Sequence, residues 1–76
     1  MSTYTSVDSV RDALAKELCT WIRDSGLTTE EVAAKLQTSR PRVSNLLNDR
    51  LELFSIDSLV KYCWRAGKSI ELTVLD

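Results

Sequence analysis

Residues 27–50 read LTTEEVAAKLQTSRPRVSNLLNDR, two short amphipathic runs on either side of a polar turn. In the first run Val32, Ala33 and Leu36 recur at helical spacing, and beyond the turn so do Val43, Leu46 and Leu47. Thr28 with Glu31 three residues on has the spacing of a capping box, which starts the first helix. Ser39 stands before Arg40 and Pro41, so a hydroxyl sits at the N-cap and proline falls in the first turn, where its missing N–H is harmless. The pattern predicts helices over residues 29–36 and 40–48, with Asn48, Asp49 and Arg50 closing the second.

Outward from this pair the chain stays helical. Over residues 7–24, Val10, Leu14, Leu18, Trp21 and Ile22 form one apolar stripe, with Gly26 just past the end as a C-cap. On that stripe Trp21 reads as a core residue. The first six residues, MSTYTS, are small and polar apart from Tyr4 and read as a flexible tail ahead of one domain over 7–76. Downstream, Leu51, Leu53 and Phe54 are apolar residues that pin a loop to the core. Ser55 then caps a helix over 56–66, with Ile56, Leu59, Val60 and Cys63 as its inward stripe and Gly67 closing it. From residue 69 to 75 the period changes: Ile70, Leu72 and Val74 alternate with Glu71, Thr73 and Leu75, which predicts a β-strand. A lone strand leaves its backbone groups unpaired. The two solutions are the same strand of a second copy, with Trp64 as an anchor of that interface, or the N-terminal Thr3, Tyr4 and Thr5.

Composition narrows the function. Seventy-six residues make one domain with a small core. No apolar run approaches the ~18 residues of a membrane span, and the N-terminus has no signal core, so the chain reads as cytoplasmic. Cys19 and Cys63 lie within predicted helices and read as small buried hydrophobes of a reducing compartment. The net charge is −1, but its distribution is uneven. Residues 1–34 sum to −3 and residues 51–76 to −1, whereas Lys35, Arg40, Arg42 and Arg50 against Asp49 give residues 35–50 a charge of +3. That local patch is what a phosphate backbone would feel. Catalysis is disfavoured. There is no histidine, and the two cysteines stand 44 residues apart with no neighbouring ligands. Glu30 and Glu31 are adjacent and do not share a helix face, and neither glycine belongs to a phosphate-cradling loop. The reading therefore assigns no catalytic residue, metal or cofactor.

The runs L-T-x-E-E-V-A-x-K-L and S-R-P-x-V-S-N-L-L-N, followed by F-S-I-D-S-L, resemble the helix-turn-helix of Xre/Cro-type DNA-binding proteins, the superfamily of phage repressors and antitoxins. The resemblance implies a mainly α, lambda-repressor-like domain of four helices, to which the periodicity adds the C-terminal strand. Many relatives place glycine in the turn where this chain has Gln37, so glutamine there costs a small strain or takes a different turn.

In that geometry the second motif helix lies in the DNA major groove and the first crosses the backbone. Arg40 is the leading base reader, its planar fork matching a guanine edge; Arg42 is divided between base edge and phosphate. Ser44 and Asn45 project about one turn later, where Asn45 matches the donor and acceptor of adenine, and Pro41 is placed to press on a thymine methyl. Thr28, Thr29 and Ser39, at helix N-termini, form the phosphate-binding set together with Asn48 and Arg50. The dimer interface is assigned to Trp64, Ile70, Leu72 and Val74. These assignments lead to a transcriptional regulator, a repressor dimer on a palindromic operator of double-stranded DNA. Two alternatives stand beside it: an antitoxin that neutralises a RelE-like ribonuclease toxin and represses its own operon, and a helix-turn-helix scaffold for protein contacts without DNA binding.

Overall fold

The computed structural model describes residues 5–75. Four α-helices follow one another: α1 (Val7–Ser25), α2 (Thr29–Leu36), α3 (Arg40–Leu47) and α4 (Ile56–Arg65). A short 3₁₀ turn, Leu51–Leu53, joins α3 to α4. Each α-helix opens on a hydroxyl cap: the side chains of Ser6, Thr28, Ser39 and Ser55 accept from the backbone N–H three residues on. Such caps satisfy donors that the helix leaves free, at about 1 kcal/mol each. Ser6 thus belongs to α1. Residues 1–4, on which the N-terminal tail and the pairing through Thr3 and Tyr4 depend, lie outside the described part.

Three helices end in the same way. Thr38 N–H donates to Ala33 O and Gln37 N–H to Ala34 O; Arg50 and Asp49 do the same to Asn45 and Leu46, and Lys68 and Gly67 to Cys63 and Trp64. This is the Schellman pattern, in which the residue just past the helix turns left-handed. Gln37 therefore keeps the turn that glycine would favour, at φ 56° and ψ 48°, and bears the strain of a Cβ there. Asp49 sits likewise at φ 63°, where a short polar side chain is better tolerated.

Leu18, Ile22 and Ala15 of α1, Val32, Ala33 and Leu36 of α2, and Val43 and Leu46 of α3 form one core with Phe54 and with Leu59, Tyr62, Cys63 and Ala66 of the α4 region. Helix α1 packs chiefly on α4, and α2 on α3. Leu14, Trp21, Leu47 and Leu51 border this core, whereas Leu53 turns outward. The α4 stripe is rotated from the sequence reading. Tyr62 and Ala66 face inward, while Ile56 and Val60 lie half-buried at the edge. Both sets have helical spacing, and only the position of the neighbouring helices chooses between them.

The C-terminal β-strand is a correction. No strand forms among the described residues, so the fold is all-helical, and residues 69–75 carry no regular structure. Ile70 alone tucks against the core; Leu72, Val74 and Leu75 remain exposed, on both parities of the alternation. Period-two patterning gives a strand only where a partner edge satisfies its backbone, and this segment finds none within the described chain.

Candidate nucleic-acid interface

Helix α3 has a sharp inside and outside. Val43 and Leu46 are buried, and the opposite side exposes Arg40, Pro41, Ser44 and Asn48. Spacings of three and four residues put Pro41, Ser44 and Asn48 on one ridge. Within it the Asn48 side-chain amide donates to Ser44 Oγ at 3.4 Å. Asn45 lies half-buried beside this ridge. In front of the ridge an open cleft of about 600 Å³ is lined by Thr29, Arg40, Pro41, Ser44 and Leu47, so the start of α2 and the start of α3 share one concave surface.

The caps Thr28 and Ser39 directly precede the lining residues Thr29 and Arg40. Thr28 Oγ1 accepts from Glu31 N–H at 3.2 Å while Glu31 Oε1 accepts from Thr28 N–H at 3.0 Å. The backbone donor at Thr28, and then its hydroxyl, hold the Glu31 carboxyl below the usual carboxylate range. Ser39 Oγ accepts from Arg42 N–H at 3.3 Å. Both hydroxyls are therefore engaged as caps, and what they offer an anion is the start of a helix whose first N–H groups stay at the surface. Arg50 is exposed just past the end of α3.

The two arginines of α3 point to different places. Arg40 is solvent-exposed, and its Nη1 donates to Glu30 Oε1 across the turn at 2.9 Å. Arg42 folds back onto the protein. Its guanidinium carbon lies 4.4 Å from the centre of the Phe54 ring, and its Nε donates to the Tyr62 hydroxyl at 3.2 Å. That hydroxyl also shares a hydrogen bond with Thr38 Oγ1 at 3.1 Å, and the Tyr62 ring meets Phe54 edge-on. Burial pushes the Tyr62 phenol up, but the bonds to Thr38 and Arg42 and the charges of Arg42 and Arg65 outweigh it and leave it below its ordinary value. Thr38, Arg42, Phe54 and Tyr62 thus tie the turn and the first turn of α3 to α4. Phe54 and Tyr62 hold Arg42 from behind, engaging one face of its guanidinium and its Nε.

Nothing local in the sequence marks Tyr62 as the shelf for Arg42, or Glu30 as the partner of Arg40; both contacts cross between elements. Elsewhere, Arg65 Nη1 donates to Leu36 O at 3.0 Å, closing the end of α2. Among the described residues no cluster of His, Cys, Asp and Glu is arranged to hold a metal ion, and no helix is long and apolar enough to cross a membrane. Cys19 and Cys63 are both free thiols, raised in pKa by burial.

A family model described as a helix-turn-helix domain matches residues 6–75, nearly the whole chain. A solved structure provisionally described as an XRE family transcriptional regulator superposes with a TM-score of 0.85 at 27% identity, covering 92% of this chain and 79% of that one. The chain belongs to the helix-turn-helix family, of the Xre type. No curated protein matches it. For this Xre-type domain, α2 and α3 are the helix-turn-helix pair and the exposed ridge of α3 is its outward face. Of the base-reading set, the fold brings Arg40, Pro41 and Ser44 together with Thr29 around one cleft. Asn48, assigned to phosphate, shares the ridge of Ser44. On and beyond α4, Trp64 is 60% exposed, and Leu72 and Val74 are 86% and 92% exposed.

Proposed function

We propose that this Xre-type domain is a DNA-binding transcriptional regulator that inserts α3 into the major groove, and that it acts as a dimeric repressor on a two-fold operator. The observation that carries the reading is the outward face of α3. Arginine, proline, serine and asparagine are exposed together on a helix whose other side is fully buried, beside the capped start of α2. Such a face is narrow enough for the groove and offers a fork for guanine, an amide for adenine and hydroxyls for either. Arg40, Pro41, Ser44 and Asn45 read bases from this face, with Asn48 at its end. Thr28, Thr29, Ser39 and Arg50 hold phosphates around it, and Arg42 sets the tilt of α3 from behind. The printed description of the structural relative, a transcriptional regulator, supports the same reading.

The dimer rests on a second observation. Trp64, Leu72 and Val74 are exposed apolar side chains, and contact with a second copy would remove them from water. Two copies related by a two-fold axis would set their α3 helices about 34 Å apart, one turn of DNA. Selection from a pool of random duplexes tests the proposal. Enrichment of a palindromic site, bound by a species that sediments as a dimer, is the expected result. Failure to enrich any sequence would remove specific DNA binding. If the chain sediments as a monomer, the dimer fails independently of DNA binding, and a toxin becomes the partner to seek for the exposed surface.

A further inference from the structure

Arg40 is the exposed cation at the first position of α3, and it is not free: its Nη1 is held by the Glu30 carboxylate of α2 at 2.9 Å. The two residues stand ten apart in sequence, on the two helices that frame the cleft. The pair contributes little to folding, because both side chains are mostly in water, at 66% and 72% exposure, and exposed ion pairs are weak. Thr28 and Glu31 form the capping box of α2, and Glu30 adds an acid to the same first turn, where the helix dipole favours it modestly without requiring any reach to Arg40. An acidic side chain is out of place on a surface that approaches phosphate, where it repels. The dipole accounts for an acid in this turn, and the bond to Arg40 gives that acid a second effect.

We infer that Glu30 is a specificity-determining residue that positions Arg40 for a base edge and penalises its use on phosphate. This rests on the DNA-binding reading above. A guanidinium has five donors in a fixed fork. With one edge on Glu30, the remaining edge is held over the cleft and is still able to pair with guanine, so the ion pair survives at the correct site. On unrelated DNA no guanine edge meets that fork. Arg40 then gains only by swinging to a phosphate, and the swing breaks the bond to Glu30 and leaves a carboxylate facing the DNA backbone. The same acid therefore supports cognate binding and weakens random binding.

The test is a titration of the wild type, Glu30→Gln and Arg40→Gln, singly and combined, on the operator obtained by selection and on a random duplex, across several salt concentrations. Asp12→Asn removes an equal charge from an exposed position on α1 and serves as the control. Glu30→Gln is expected to raise affinity for random DNA by about three- to ten-fold and to steepen its salt dependence by about one unit of slope. Its affinity for the operator should stay the same or fall, so the specificity ratio drops; in the Arg40→Gln background, where the unpaired acid only repels phosphate, any gain should be equal on the two DNAs and the specificity ratio should not move. Thermal stability should not move by more than a degree or two, which separates positioning from folding. Equal gains on both DNAs with Arg40 in place, or a gain matched by Asp12→Asn, would reduce Glu30 to bulk charge and overturn the inference. Absence of any change would overturn it too. Wild-type protein that binds neither duplex would instead bring down the DNA-binding reading itself, a failure distinguishable from the others because it precedes any comparison of variants.

Discussion

Arg40 and Arg42 stand two positions apart on α3 and face different surroundings. The first is extended into the cleft against Glu30; the second lies on Phe54 with its Nε on the Tyr62 hydroxyl. Their substitutions should therefore diverge. Arg40→Ala should leave folding intact, cost about 1–3 kcal/mol on the selected operator and relax preference at one base pair. Equal losses on operator and random DNA would make it a phosphate contact. Arg42→Ala should instead lower stability by about 1–2 kcal/mol through the lost stacking and hydrogen bond, read as an earlier urea midpoint. It should weaken binding to all sequences without shifting base preference. The sequence made Arg40 visible as a helix-start cation beside proline. It divided Arg42 between base edge and phosphate and did not find its shelf, which is built by residues 54 and 62 in a later part of the chain.

At the scale of elements, the helices were legible and their ends nearly so, since caps and apolar spacing are local signals. Helix α2 spans the expected residues, and α1, α3 and α4 differ from expectation by one residue at the C-terminal end. The irregular C-terminal segment was misread as a strand, because pairing is a property of two segments and the alternation in residues 69–75 describes only one. The turn between α2 and α3 has a cost written in its backbone, with Gln37 at φ 56°. Gln37→Gly should stabilise the domain by up to about 1 kcal/mol, relieving the left-handed strain at some entropic expense, and a raised melting temperature would register it. The start of α2 also titrates. Glu31 has a lowered pKa in the fold, so its stabilisation is complete at neutral pH and is lost as pH falls through its depressed folded value. Glu31→Gln should flatten the acid side of a melting-temperature profile taken between about pH 7 and pH 3; a parallel profile would remove the capping box from the pH response.

The whole molecule carries a net charge of −1, and its cationic residues near α3 are partly committed inside the protein, Arg42 to an aromatic shelf and Arg40 to an acid. Such a surface is a modest attractor of DNA, made selective by arrangement more than by charge. The same distribution explains why composition alone pointed away from nucleic acid while the motif pointed toward it. The core is small but continuous across all four helices, so α3 is presented by a rigid body. The most direct test of the central claim is the affinity for a random-sequence duplex measured against salt concentration. Groove insertion by a dimer, with Arg50 and the helix starts on phosphate, requires log affinity to fall with log salt at a slope of about −2 or steeper. A flat and very weak response from a protein shown to be dimeric would contradict DNA binding and leave the helix-turn-helix as a scaffold.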